Sequence, residues 1–362
     1  LTSIGSKAFE NAALLADVYA EPTTAPAVQA DSFSGAGTSV QGSKTFHVAS
    51  VEAYSSWTTA ASGYTMEALG PDYLSEGLYY RASGEDPWKS EIPQTFTTLY
   101  VKTAGDNTVM TAEQMKAVAD AVKALATPAT VDFSEVVYES ETFPNSFKSN
   151  ANLAGIVFPQ NVTKTASAAF QKTGMTSVTL LKGISYGSNA FDSCASLVSV
   201  TVEEGVTEIG NYMFQNTKLT DVTLPNSVTK IGANAFNGCS LTTINFGQGV
   251  KTIENSAFQN CGELTEIILP DATETLGQNA FGDCPKLAKI SLGKNMKTLE
   301  AYCFVGYSKG CPLLGDIICR ATTPPTLKDD YGTGPFGGGW SPVAGKDVPA
   351  ENRIIHLPKS AD

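Results

Sequence analysis

Residues 219–240 read LTDVTLPNSVTKIGANAFNGCS, and variants of this unit recur along residues 153–292. The closing phenylalanine returns at steps of 21 to 23 residues, at Phe147, Phe170, Phe191, Phe214, Phe236, Phe258, Phe281 and Phe304. The opening apolar residue keeps the same spacing, at Leu153, Met175, Leu197, Leu219, Leu241, Leu264 and Leu287. Two registers that share one period across seven units exclude coincidence, and a fixed period of this length predicts a stacked repeat architecture.

Each unit opens with an LxxIxL run, which predicts a short strand whose inward side chains alternate with a period of two. A single unit cannot bury these residues, so units must stack at roughly 4.8 Å per strand. Seven units would form a parallel ribbon roughly 30 Å long. The phenylalanine of each Ala-Phe pair would fill the interior from the opposite wall. We therefore predict a right-handed leucine-rich-repeat solenoid of β-rich α/β class, with few helices, cap modules and a parallel β-ribbon on its concave face.

The segment LPNSVTKIGANAFNGC, residues 224–239, closely resembles the BspA-like leucine-rich repeat of bacterial surface proteins, also called the Treponema pallidum type. This resemblance covers about half of the chain. It implies a protein at the cell surface or outside the cell, with a binding or adhesion role. It supplies no catalytic residues and no cofactor.

The composition limits the partners of the chain. It has 36 acidic and 24 basic residues and a formal charge of −12, and its basic residues do not cluster, which argues against nucleic-acid binding. No apolar run is long enough to span a bilayer. The sequence begins at Leu1 without a secretion signal, so we expect a leader to have been removed or to lie outside this sequence.

Four of the seven cysteines occupy one repeat position, three residues after a repeat phenylalanine: Cys194, Cys239, Cys261 and Cys284. We interpret them as a column of small buried thiols, because the CxxC pairs and histidine partners typical of zinc sites are missing from the sequence. Cys303, Cys311 and Cys319 break the register, and the spacing leaves open whether two of them form a disulfide.

The chain divides by pattern into five segments: a repeat remnant with a cap (1–61), a connector (62–98), an N-terminal cap (99–145), the repeats (146–319) and a C-terminal cap (320–362). The first and last segments resemble each other. Residues 17–26 (DVYAEPTTAP) parallel residues 316–325 (DIICRATTPP), and each copy continues to a strand that carries His47 or His356. We therefore expect the chain to be part of a longer repeat protein, and the two histidines to be structural or solvent-exposed.

The N-terminal cap is predicted to be a strand, an amphipathic helix and a second strand that cover the first open edge of the ribbon. Thr111 and Gln114 form a capping box, and Pro128 limits the helix. One face of the helix carries Met115, Val118, Val122 and Leu125. A further short helix is expected at residues 50–61, turns at residues 105–107, and a flexible excursion at residues 332–339.

Three short motifs suggest chemistry that their context does not support. GISYG, residues 183–187, matches the nucleophile elbow but is the VTEIG segment of a repeat with one residue fewer. GTGPFG, residues 332–337, matches a phosphate-binding loop but has a proline where an amide donor would help. Asn161 begins a glycosylation sequon that we expect to be unused. The sequence predicts no enzyme.

The outward residues of the strands form the candidate ligand-binding surface, on the face predicted to be concave. The strongest candidates are Asp221, Thr223, Thr243, Asn245, Glu266 and Lys289. Polar, β-favouring residues also suit any exposed strand, so these positions alone do not establish binding. We expect adhesion to a host or neighbouring-cell protein. The alternatives are glycan capture, placed in the more aromatic residues 62–98, and a structural spacer.

Overall fold

The computed structural model describes residues 109–305 and 310–328 without a gap. It also describes residues 77–83, 86, 88–90, 92–104 and 335, and strand backbone at residues 3–4, 17–20, 27–28, 45–48, 65–68 and 354–356. The chain divides into two compact units, with residues 1–93, 99–110 and 135–137 in the first and the remainder in the second. The predicted helix at residues 50–61, the turn at 105–107 and the excursion at 332–339 lie outside the described residues, apart from the single position 335.

The first unit is built from short strands. They are β1 (Ser3–Ile4), β2 (Asp17–Ala20), β3 (Ala27–Val28), β4 (Thr45–Val48), β5 (Thr65–Ala68), β6 (Gly77–Arg81) and, except for its first residue, β7 (Thr98–Ala104). β1 and β3 form a parallel pair, and β4 lies between β2 and β5 in a parallel sheet. β6 and β7 are antiparallel.

The second unit contains helix α1 (Ala112–Lys123), the one helix among the described residues. The predicted capping box is confirmed: the Gln114 amide donates to Thr111 Oγ1 at 3.3 Å, and the Thr111 amide donates to Gln114 Oε1 at 2.8 Å. Met115, Val118 and Val122 are buried as predicted. Leu125 lies beyond the end of the helix and is half-buried.

Most repeats contribute two strands, whereas the sequence predicted one. In residues 175–191 the second strand is reduced to an isolated bridge between Ser185 and Lys164. The strands of the LxxIxL runs are β10 (Leu153–Val157), β12 (Ser177–Leu180), β13 (Ser199–Val202), β15 (Asp221–Thr223), β17 (Thr243–Asn245), β19 (Glu266–Ile268), β21 (Lys289–Leu292), β23 (Asp316–Cys319) and β25 (Ile354–His356). β8 (Ala129–Glu135) precedes them and pairs with β10. This first ribbon is parallel, as predicted.

A second parallel ribbon runs through the VxxIG segments. Its strands are β9 (Thr142–Phe143), β11 (Lys164–Thr165), β14 (Glu208–Ile209), β16 (Lys230–Ile231), β18 (Thr252–Ile253), β20 (Thr275–Leu276), β22 (Thr298–Leu299) and β24 (Thr326–Leu327). The last six form one continuous sheet. In β14 to β22 the second residue is an aliphatic side chain that is fully or almost fully buried. The second ribbon therefore contributes a wall of the core.

The repeat phenylalanines fill the interior, which confirms the role predicted for them. From Phe170 to Phe304 successive rings stack with centroids 5.2–6.4 Å apart and interplanar angles of 6–20°. All of them are buried. Burying one such ring contributes about 1.5–3 kcal/mol. The fold is thus a parallel β-solenoid with one continuous core, as the sequence predicted.

The turns around each phenylalanine adopt a left-handed backbone that the sequence reasoning missed. Two residues before the ring, φ lies between 55° and 61° at Ala168, Asn189, Tyr212, Asn234, Ser256, Asn279 and Tyr302. Two residues after it, φ lies in the same range at Ser149, Lys172, Ser193, Asn216, Asn260 and Asp283, and Gly238 takes 72°. Asn, Asp and Gly tolerate this region best, which explains their frequency beside the Ala-Phe pairs.

The two predicted cap copies pair their strands in the same register. Tyr19 of β2 lies opposite His47 of β4, and Ile318 of β23 lies opposite His356 of β25. The two histidines are therefore equivalent in backbone position, as the duplicated sequence suggested. Their side chains, and the structural role predicted for them, lie outside the described residues.

Candidate functional site

The outward side chains of the first ribbon form two parallel columns, which we call the strand face. One column contains Ser177, Ser199, Asp221, Thr243, Glu266 and Lys289, and the other contains Thr179, Thr201, Thr223, Asn245, Ile268 and Ser291. Side chains in a strand alternate between the two sides of the sheet, so the residues between these positions point to the core. Most of the columns are exposed, whereas Ser291 is buried.

The six candidate residues lie side by side in three pairs. Asp221 lies opposite Thr243, and Thr223 opposite Asn245, on β15 and β17. Glu266 and Lys289 lie opposite each other on β19 and β21. The structure thus brings the candidates together on one surface. Their part in ligand binding stays a prediction.

Contacts within the strand face pair the charges of Glu266 and Lys289 with each other, whereas Asp221, at the other end of the candidate set, has no basic partner among these six residues. Lys289 Nζ lies 2.8 Å from Glu266 Oε1, and this hydrogen bond raises the pKa of Lys289. The two opposite charges therefore balance each other. Asp221 accepts a hydrogen bond from the neighbouring Thr220 hydroxyl at 3.0 Å and remains exposed.

The centre of the strand face is neutral and hydroxyl-rich beside this single carboxylate. Thr223 and Thr243 are exposed, and Asn245 Oδ1 accepts the Gly247 amide at 3.1 Å, which orients its side chain. Ile268, next along the column, is 60% exposed. The arrangement offers hydrogen-bond donors and acceptors with one apolar contact, on a backbone held by parallel pairing.

The cysteine column is confirmed, and it contains one more member than predicted. All seven cysteines are buried and free. In the column each thiol donates to the phenylalanine carbonyl of the preceding repeat, at 3.0–3.3 Å, from Cys194, Cys239, Cys261, Cys284 and Cys311. Cys311 regains the register because residues 307–310 are inserted before it. Burial raises the pKa of Cys239 to about 11, which keeps that donor protonated.

The GISYG motif forms part of the second ribbon. The Ser185 amide donates to the Thr163 carbonyl at 2.8 Å, and the Ser185 carbonyl accepts the Thr165 amide at 2.9 Å. These contacts place Ser185 in a backbone ladder. Nearly all of the second motif, GTGPFG, lies outside the described residues. Among the described residues, no group of three or more His, Cys, Asp or Glu is arranged to hold a metal ion.

Two other sequence features have structural roles. The amide of Asn161 both accepts from the Tyr138 backbone at 2.9 Å and donates to it at 2.7 Å, so the sequon asparagine joins neighbouring segments. In the connector, the indole of Trp88 is buried, and the Arg81 guanidinium lies 4.3 Å from its ring centroid. This tryptophan is therefore not an open stacking surface for sugars.

Comparison with solved structures finds bacterial repeat proteins of low identity. The chain is similar to a leucine rich cell surface protein from Faecalibacterium prausnitzii A2-165, with 19% identity over 89% of this chain and 77% of that one and a TM-score of 0.40. It is also similar to a leucine-rich repeat protein from Eubacterium ventriosum, with 22% identity over 56% and 65% of the chains and a TM-score of 0.36. A leucine rich repeat protein from T. pallidum matches with 18% identity over 61% and 74% and a TM-score of 0.29.

A comparison with curated proteins finds no match. No described helix combines the length and apolar character required to cross a bilayer. The model of the BspA type leucine rich repeat region matches residues 131–186 and 184–310, in six copies. These residues contain most of the two ribbons, the phenylalanine stack and four of the five column thiols. Through them the chain belongs to the family of BspA-type leucine-rich repeat proteins.

Proposed function

We propose that this chain is a non-enzymatic binding protein of the cell surface or extracellular space, which uses the centre of the strand face to adhere to a host or neighbouring-cell protein. The observation that carries the proposal is the exposed cluster of Asp221, Thr223, Thr243 and Asn245 on two paired strands. A rigid backbone pre-organises these groups, which lowers the entropic cost of binding. The resemblance to BspA-like repeats supports the location and the task.

The low charge of this centre, which has one carboxylate among hydroxyl and amide groups, favours a polar protein surface over a strongly charged ligand. Glu266 and Lys289 satisfy each other at one end, so they present little net charge to a partner. Asp221 is the candidate for a directed contact with a cationic or hydrogen-bonding group. Solenoids commonly bind along such extended surfaces.

The test is binding of the full chain to an array of extracellular-matrix proteins, mucins and polysaccharides at physiological salt. We expect a saturable protein hit whose affinity falls at least about tenfold in Asp221→Lys and in Thr223→Arg, because changes at the centre of an interface cost the most. Thr207→Arg is the matched control, since Thr207 is equally exposed but lies beside the second ribbon. Glu266 is left unchanged because its reversal would place two lysines together.

Three outcomes would contradict the proposal. Binding to polysaccharides alone would make the protein a glycan-capture protein, and binding to nothing on the array would leave the spacer function. A protein hit that all three variants retain equally would locate adhesion away from the strand face.

A further inference from the structure

A cleft of about 470 Å³ opens in the first ribbon, between β10 and β12. Gly155 and Val157 of β10 line one side, and Ser177 and Thr179 of β12 line the other. Its floor includes the core residue Phe191. We call this opening the edge cleft. Its volume lies within the range of pockets that bind small ligands, about 300–1,000 Å³.

The edge cleft exists because the first ribbon is interrupted there. β10 pairs with β8, and β12 pairs with β13, but no backbone hydrogen bond joins β10 to β12 within the continuous stretch 109–305. β10 also carries a register shift between Leu153 and Gly155. Two strands therefore present unpaired edges across the opening, and such edges are templates for a further strand.

The interruption is confined to the strand wall. Behind it, the rings of Phe170 and Phe191 remain stacked, with centroids 5.4 Å apart. The pairing is also broken between β13 and β15 and between β17 and β19, but at both places the two strands remain in contact. The edge cleft is thus a local opening in a continuous solenoid.

The residues that line the edge cleft determine which kind of ligand it can bind. Its rim carries the hydroxyls of Thr130, Ser177, Thr179, Ser199 and Thr201, and its other residues are apolar or glycine. No lining residue is ionisable, so a charged ligand would lose hydration without gaining a counter-charge. Along one edge, Val157 is exposed, and the Thr130 hydroxyl lies close to Gly155, 3.0 Å from the place where a Cβ would stand. The site therefore suits a neutral, extended ligand that can alternate hydrogen-bond donors and acceptors.

We propose that the edge cleft binds an extended peptide segment with small or uncharged side chains, by β-strand addition to an open edge of β10 or β12. Main-chain hydrogen bonds would supply affinity, and the hydroxyl rim and apolar floor would select the side chains. The four residues of β12 give an edge of about 13 Å, which matches roughly four ligand residues. The proposal rests on the proposed function, since it names a linear segment as the part of a protein partner that is bound.

The experiment uses the full chain and a phage-displayed library of random linear dodecapeptides. Enriched peptides are synthesised and titrated against the wild type, Thr179→Trp and Thr207→Trp. Thr179 and Thr207 are both exposed threonines, but only Thr179 lines the edge cleft, and Thr207 lies beside the second ribbon. We expect Thr179→Trp to weaken the peptide at least about tenfold by filling the cleft, and Thr207→Trp to leave it unchanged. Circular dichroism and thermal melting verify that both variants fold.

A second measurement tests strand pairing itself. Peptides N-methylated at alternate backbone amides lose donors without losing side chains, and we expect them to bind at least about tenfold more weakly. The inference is overturned if no peptide is enriched, if Thr179→Trp binds as well as the wild type, or if N-methylation has no effect. A matrix-protein hit that is lost in Thr223→Arg and retained in Thr179→Trp would preserve the proposed function and reject the edge cleft as its site.

Discussion

Tyr186 illustrates how one residue compensates for an irregular repeat. The segment 180–187 has one residue fewer than its equivalents, and it places Leu181 where the preceding repeat has Pro159 and a later repeat has Pro225. Proline has no amide hydrogen, whereas leucine brings one that needs an acceptor. The Tyr186 hydroxyl accepts this Leu181 amide at 3.1 Å. It also lies 3.4 Å from the Thr179 carbonyl, to which it donates.

We predict that Tyr186→Phe lowers the free energy of unfolding by about 1–2 kcal/mol, because the Leu181 amide loses its acceptor. Adding Leu181→Pro should recover part of this loss, since it removes the donor itself. Tyr212→Phe, at an exposed tyrosine, is the control and should change nothing. Urea unfolding of the four proteins is the measurement. A double variant that is no more stable than Tyr186→Phe would show that the hydroxyl acts in another way.

The same residue has a signature in the pH dependence of stability. Burial raises the pKa of Tyr186 to about 12, against about 10 in an unfolded chain. Its contribution is therefore complete below pH ~10 and is lost as pH rises from about 10 to 12, because the unfolded phenol ionises first. In Tyr186→Phe, the free energy of unfolding should no longer show this decrease between about pH 10 and 12.

Sequence reasoning located some residues correctly and could not locate others. The cysteine column followed from a fixed distance to the phenylalanines, so four of its members were predictable. Cys311 was missed because the insertion before it shifts the count, although it donates the same hydrogen bond. Left-handed positions such as Asn234 were missed because seven different residue types occupy those turns, including alanine, lysine and tyrosine. There the stacked backbone imposes the conformation on residues that do not prefer it.

At the scale of elements, one junction between repeats is marked by charge. Four ion pairs, each between residues 23 positions apart, join the repeat of β19 to the repeat of β21 at 2.5–3.2 Å: Glu263–Lys286, Glu266–Lys289, Asp271–Lys294 and Glu274–Lys297. We call them the charge belt. Arg320 reinforces it by contacting Asp271 Oδ1 at 3.0 Å and the Leu269 carbonyl at 2.7 Å. Single exposed pairs stabilise little, so we interpret the charge belt as a device that fixes the register of this junction.

We predict that Glu274→Lys and Lys297→Glu each lower the melting temperature slightly, because each places two like charges together, and that the double exchange restores it. About 1 M NaCl should remove the differences, since it screens charges beyond roughly 3 Å. Lys218→Glu, at an exposed lysine outside the charge belt, is the control. Single reversals without effect at low salt, or a double exchange without recovery, would contradict a role in register.

The loss of folding stability at acidic pH should depend on the same ion pairs. Hydrogen bonds from Lys294 and Lys297 lower the pKa values of Asp271 and Glu274. A lowered carboxyl pKa adds stability that is present above the unfolded values of about 3.9 and 4.3 and is lost as pH falls through the folded values. The double variant, in which Glu274 and Lys297 are exchanged, should retain this pH dependence of stability. The single variants should lose part of it.

The strands show where periodicity alone fails. The LxxIxL run alternates over enough residues to predict the first ribbon, whereas the second ribbon is made of two-residue strands with one inward side chain each. Two residues show no period, so this wall was not predictable from pattern. For the same reason the edge cleft was invisible in the sequence. β12 and β13 have nearly identical sequences, SVTL and SVTV, but only β13 has a paired strand on the side facing the N-terminus.

For the whole solenoid, the stacked phenylalanines imply that stability spreads between neighbouring repeats. Among the described residues, the ring of Phe236 stacks on the next rings in the column, Phe214 at 5.5 Å and Phe258 at 5.2 Å. Backbone amides also bond to the adjacent repeat, as Phe236 does to the Ala257 carbonyl at 2.8 Å. Contacts that run mainly between neighbouring repeats, with Arg320 as an exception, make stability approximately a sum of repeat and interface contributions. In such a solenoid, the destabilisation caused by a core substitution should decrease with distance along the stack.

We predict that Phe236→Ala lowers stability by about 3–5 kcal/mol in its own repeat and leaves a gradient on both sides. Hydrogen exchange of the full chain should accelerate most in residues 214–258 and less toward Phe170 and Phe304. Phe304→Ala is the matched control, because its ring stacks on Phe281 at a different place in the column, and its gradient should be centred there and not on residues 214–258. Equal acceleration at every repeat in both variants would mean that the solenoid unfolds as one unit. In that case a partner that binds one repeat would stabilise all of them equally, whereas a gradient would confine the effect of a ligand in the edge cleft to the repeats nearest β10 and β12.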